Sequence, residues 1–176
     1  MPETATNTNA LINRLPDLQE GKMPPIDKNL CTELVQTLLK GGKDAIVGLI
    51  DALREVDNGS DWKARFLLNT MVFSLGTPEQ STHRSMLANV LLEEAAGARP
   101  AAVRTFLLAR LRMIADKDSV AKLIPLLAAE DPQLTDAVAT VLVSIGTPSK
   151  EPLAGALKAA QGRRKEVIEN ALAQIA

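Results

Sequence analysis

The residues able to do chemistry are few, and their spacing brings no two of them together. The chain holds one histidine, His83, and one cysteine, Cys31. His83 stands among Thr82, Arg84 and Ser85 near an expected helix start, the setting of a solvated imidazole rather than a general base. One His and one Cys do not make the usual zinc ligand clusters. Asp57-Asn58-Gly59-Ser60-Asp61 offers oxygen ligands, but it lacks the length and closing Glu of a calcium loop and reads as a turn. Glu93 and Glu94 are helix neighbours pointing about 100° apart, so they do not converge. Asp116-Lys117-Asp118 reads as a connecting turn and helix cap. Gly41-Gly42-Lys43 lacks the preceding strand and the spacing of a phosphate loop. Asn58-Gly59-Ser60 has the form of a glycosylation sequon, which matters only in a secretory compartment. Cys31 lies in a helical apolar pattern and reads as a small core residue, with a regulatory thiol or an intermolecular bridge as the alternatives. The expectation is a chain that is not an enzyme and needs no cofactor or metal.

The elements that carry these residues follow a repeat. Val120 to Ser149 reads as an apolar helix, a tight turn at Glu130-Asp131-Pro132, and a second apolar helix ending at Ile145-Gly146, where Thr147-Pro148 opens the next unit. Ser74-Leu75-Gly76-Thr77-Pro78 repeats that ending, about 70 residues earlier, which suits two units of ~35 residues. In such a joint Gly is expected to take the left-handed conformation, Thr to cap the next helix and Pro to open it. Taking Gly41, Gly76, Ala115, Gly146 and Ala176 as unit ends aligns the second helices. Val72, Leu111, Leu142 and Leu172 stand four residues before an end, and Leu68, Leu107, Val138 and Ile168 stand eight before. Leu75, Ile114, Ile145 and Ile175 stand next to the ends. Arg65, Arg104 and Lys165 form a basic column eleven before the ends, from which Thr135 departs.

On Ala64-Arg65, Val103-Arg104, Leu111, Ile114 and Leu142-Val143-Ser144-Ile145-Gly146, the chain resembles the HEAT-like repeats, particularly the short phycobilisome lyase type, over roughly residues 42–176. The resemblance implies an all-α fold, an armadillo-like α-α superhelix: a right-handed solenoid of about five helical hairpins, with first helices convex and second helices concave. It implies nothing about function, because the repeat is a packing motif.

Composition agrees with helices packed on helices. Apolar residues make up 46% of the 176, aromatic residues only 2%, with no Tyr. Leu, Ala, Val and Ile must therefore build the core. A net charge of −1 gives no global field for nucleic acid or an acidic membrane. No apolar run approaches the ~20 residues of a membrane span. The start lacks a signal region, so a cytoplasmic location is the default expectation and a fragment of a secreted protein the alternative.

Along the chain, residues 1–26 are expected as an irregular N-terminal arm with a short helix over 10–15, and residues 27–176 as the solenoid. Its helices are expected at 27–39, 43–56, 61–75, 78–95, 101–114, 119–129, 133–145, 150–160 and 163–175. Asp61 or Ser60 should cap the helix that follows them. Ala171, Leu172 and Ile175 lie near the terminus, suggesting that this end packs on something else, by continuation of the array or by self-association.

What remains is a surface. Trp62, Phe66, Phe73, Arg112 and Val143, flanked by Arg65 and Arg104, are the candidate partner-binding residues on a concave scaffold face. The competing reading has Trp62, Phe66 and Phe73 simply packed between helices. The leading functional expectation is a noncatalytic interaction module for a protein or peptide. One alternative is a nucleic-acid-binding protein like the HEAT-like alkylpurine DNA glycosylases, using Trp62, Arg65, Arg104, Arg112 and Arg163-Arg164-Lys165. The other is a lyase-like or chaperone-like helper.

Overall fold

The computed structural model describes residues 7–55, 59–75 and 81–175. The expectations for Met1–Thr6, for Asp57-Asn58, for the Gly76-Thr77-Pro78 joint and for Ala176 lie outside these residues; the helix expected to reach Val56 ends instead at Asp51, and residues 52–55 are not helical. Within the described residues every regular element is a helix, with a single isolated bridge between Gln19 and Lys22 and no strand. It divides into two compact units, residues 1–90 and 91–176.

The first unit holds α1 (Thr8–Asn13), α2 (Lys28–Lys40), α3 (Gly42–Asp51), α4 (Trp62–Ser74) and the start of α5 (Ser81–Ala96). Helix α1 begins and ends two residues earlier than the short helix expected over 10–15. Asn7 caps it by accepting from the Ala10 N–H, and Thr8 is buried, its Oγ1 donating to the Ala45 carbonyl at 3.2 Å. Gly48 makes room for that contact, since a Cβ there would sit 2.9 Å from Thr8 Oγ1. Asp27 caps α2 as expected, accepting from the Asn29 and Leu30 N–H groups. Buried Leu34, Val35, Leu38 and Leu39 face the core, whereas Leu30 is only half-buried. Helix α1 packs on α3, and α2 on α4; α2 and α3 also touch each other. Helix α4 buries Ala64, Leu67, Leu68, Met71 and Val72.

The second unit holds the end of α5, then α6 (Ala101–Leu111), a broken first helix, α8 (Pro132–Ile145), α9 (Lys150–Leu157) and α10 (Gly162–Gln174). The broken helix has a 3-10 turn at 117–119, a four-residue α-helix, α7 (Val120–Leu123), and a 3-10 stretch at 124–128. A continuous helix was expected there; Pro125 has no N–H to donate and disturbs the α-helical ladder. Helix α8 packs against α6, α10 and the 124–128 stretch, and α9 packs against α10. Gly146 ends α8 with φ +79° and ψ −139°, a conformation open to glycine but not the expected left-handed helical one. Thr147-Pro148 then forms a 3-10 turn with Ser149, and α9 starts only at Lys150, so Thr147 does not cap the α-helix.

The aligned columns lie in the core. Leu68, Leu107, Val138 and Ile168 are fully buried, as are Val72, Leu111 and Leu142; Leu172 and Ile145 are half-buried. At the C-terminal end, Ala171 and Ile175 are buried and α10 turns Arg163, Lys165, Glu166, Glu169 and Gln174 outward. The apolar residues that suggested an uncovered end are therefore themselves largely covered.

Candidate interaction surface

The basic column resolves into an internal latch. Arg65 reaches from the first turn of α4 to Arg54, three residues past the end of α3. Its Nε lies 2.9 Å from both oxygens of Asp61, and a terminal nitrogen donates to the Arg54 carbonyl at 3.2 Å. The Asp61 side chain is fully buried and also accepts from the Arg54 N–H at 2.8 Å. Asp61 holds the expected N-cap position of α4, but its carboxylate makes no capping bond to that helix's backbone and closes the α3–α4 turn instead. Arg104 Nε donates to the Ala95 carbonyl at 2.6 Å, near the end of α5. Thr135, which departs from the column in charge, keeps a similar contact: its Oγ1 lies 3.2 Å from both the Ala129 and the Asp131 carbonyls, between which its one proton is shared. Lys165 is different, being exposed and paired with Glu169 one turn on.

Arg65 and Arg104 are thus engaged within their own hairpins. Sequence alignment found the column because it saw basic residues. It missed Thr135 because a hydroxyl and a guanidinium share only the ability to donate to a carbonyl.

The aromatic residues behave otherwise. Of one Trp and three Phe, Trp62, Phe66 and Phe73 all lie on α4. At 100° per residue they fall within about 40° of one another, roughly opposite the buried face of the helix. Trp62 and Phe66 pack as a tilted pair, ring centroids 6.2 Å apart. Phe73 is 68% exposed, a large hydrophobic surface left open. The fourth ring, Phe106 on α6, lies under the Arg110 guanidinium at 4.6 Å; sequence reading gave it no role.

Phe73, Arg112 and Val143 occupy one register, three residues before a unit end. Phe73 and Arg112 are exposed, Val143 half-buried. In the second unit the Ser144 hydroxyl donates to the Val141 carbonyl of its own helix at 2.7 Å and lies 3.2 Å from the Arg112 carbonyl at the end of α6. Val143 borders a shallow groove of 220 Å³ between α8 and α10, where Arg163 pairs with Asp136 at 2.6 Å.

The first unit has a larger groove, 480 Å³, where α2 faces Thr70 and Ser74 of α4 and His83 of α5. It is built at the same register as the other: Thr70 and Ser74 correspond to Asn170 and Gln174, six and two residues before a unit end. Cys31 lines it too, so the sole Cys and sole His border one groove although they are distant in sequence. Burial, then the nearby Asp27 carboxylate, raises the Cys31 thiol above its ordinary pKa, the reverse of what nucleophilic activation requires. Among the described residues, no cluster of His, Cys, Asp or Glu is arranged to hold a metal ion. No described helix is long and apolar enough to cross a membrane.

The chain matches no protein-family model, and no curated protein is significantly similar to it.

Proposed function

We propose that this chain is a noncatalytic HEAT-like helical-repeat module that binds a protein or peptide partner on the outward face of its second helices. The observation that carries this reading is the aromatic face of α4. A chain with so few aromatic residues places three of them on one side of one helix, away from the core, with Phe73 open to solvent. Exposed aromatic rings flanked by half-buried ones are the composition of binding hot spots.

The repeat reading is supported by the contacts inside each unit. Alternate helices stack, α1 on α3 and α2 on α4 in the first unit, α6 on α8 and α8 on α10 in the second. Stacking of alternate helices is what a two-layer helical repeat array requires. The noncatalytic reading draws on the raised thiol of Cys31 and the scattered carboxylates. The glycosylase-like alternative loses weight because Arg65 and Arg104 each commit their Nε donor inside a hairpin, which fixes the guanidinium there.

Affinity capture from the native cell extract, with wild type beside a folded Phe73→Glu variant, tests the proposal. A partner held by wild type and lost by the variant supports it. Turnover of a defined substrate that a point change abolishes would overturn it.

A further inference from the structure

Residues 7–18 lie on the rest of the first unit as a docked peptide would. Thr8 Oγ1 donates to the Ala45 carbonyl and fits over Gly48. Ile12 and Leu15 are buried. Arg14 donates twice to Glu33 of α2, at 2.7 and 3.0 Å, and Asp17 meets Lys63 of α4 at 2.6 Å. A helix of six residues does not persist in water without such a face to lie on.

A tight reversal then turns the chain back toward α2. Gln19 and Lys22 exchange both backbone hydrogen bonds, at 2.9 and 2.8 Å. Between them Glu20 has φ +51° and Gly21 φ +75°. Two positive φ values in a two-residue turn are the type I′ pattern, which favours Asn-Gly. Gly21 takes that conformation without cost, whereas the Cβ of Glu20 crowds its own backbone. Among the described residues, Glu20 is the one non-glycine with positive φ. Pro24 and Pro25 follow, and each favours extended backbone in the residue before it. Straightening residues 19–22 relieves Glu20 and continues into a segment that its prolines bias toward extension.

We infer that residues 7–18 exchange between two copies of this chain, with Gln19–Lys22 as the hinge, giving a two-fold domain-swapped dimer. The segment that fills each docking face comes from the second copy. Every contact named above re-forms, because the two sequences are identical, and only the turn changes. Strain at Glu20, present in each closed monomer, is absent from the dimer. The inference does not rest on the aromatic face of α4.

Light scattering on a size-exclusion column, over a range of loading concentrations, tests it, with circular dichroism verifying the fold of each variant. Wild type should show slowly interconverting monomer and dimer. Glu20→Asn suits the closed turn and should lower the dimer association constant by about fivefold or more, since two hinges are affected. Deleting Glu20 and Gly21 leaves too little chain to reverse and should make the dimer the main species. Asp17→Lys and Lys63→Asp each set like charges together within one copy. Mixed, they should form a heterodimer in excess of either homodimer, because both exchanged pairs are then of opposite charge. Monomer at every concentration, in wild type and in the shortened hinge alike, would overturn the inference. So would a dimer indifferent to Glu20→Asn, or one abolished by Phe73→Glu, which would place the contact on α4.

Discussion

The Nε of Arg104 donates to the Ala95 carbonyl at 2.6 Å, fastening the start of α6 to the end of α5. Arg65 does the same to Arg54 from α4, and Thr135 of α8 shares its proton between the Ala129 and Asp131 carbonyls. In these three hairpins the residue eleven places before the unit end satisfies a carbonyl that the preceding helix or turn would otherwise leave open. There, though not at Lys165, the column is an intramolecular device that fixes one helix to the next.

Arg104→Met keeps the aliphatic stem and removes the donor. A hydrogen bond from a charged group contributes about 1.5–3 kcal/mol. Urea denaturation should show a loss of that order, while partner capture by the folded variant stays at the wild-type level. Unaltered stability would mean that the Ala95 carbonyl is equally well served by water.

Asp61 and Arg65 carry a heavier consequence. The Asp61 carboxylate is fully buried and accepts from both Arg65 and the Arg54 N–H. Asp61→Ala leaves a largely buried guanidinium and a backbone donor without their acceptor, a loss of about 3–5 kcal/mol. Adding Arg65→Met to Asp61→Ala should recover part of it. A double variant no more stable than Asp61→Ala alone would show that the pair is not coupled.

Gly48→Ala sets two effects against each other. Alanine favours a helix interior by about 1 kcal/mol over glycine. Its Cβ, however, would meet Thr8 Oγ1 at 2.9 Å and Thr8 Cβ at 3.2 Å. Helix α1 should therefore lift from α3, and limited proteolysis should cut the N-terminal segment faster than in wild type. Equal cleavage rates would show that α1 adjusts without undocking.

Leu142→Ala, at a fully buried position of α8, should cost about 2–5 kcal/mol. Leu172→Ala, at the matching but half-buried position of α10, should cost clearly less. Equal losses in chemical denaturation would contradict the burial difference between the two hairpins.

The buried columns were legible because helical periodicity survives in Leu68, Leu107, Val138 and Ile168, whatever their neighbours do. The aromatic face was legible only in part: the sequence places Trp62, Phe66 and Phe73 on one helix but does not say which rings are covered. Other features lay outside what pattern can carry. The broken first helix depends on one proline within an apolar run. The latch of Thr135 is hidden by a change of residue type. Asp61 looks like a cap because it precedes a helix, yet its carboxylate is drawn to Arg65 and the Arg54 N–H. The groove shared by Cys31 and His83 needs α2, α4 and α5 to meet, which no local spacing encodes.

The most direct test of the proposed binding face places a photo-crosslinking benzoylphenylalanine at position 73, and in a separate protein at exposed Lys165 on α10. Both are irradiated in native extract. The account predicts a discrete protein or peptide adduct from position 73 that is absent from position 165 and is competed away by excess wild-type chain. No adduct from position 73, or the same set from both positions, would contradict it.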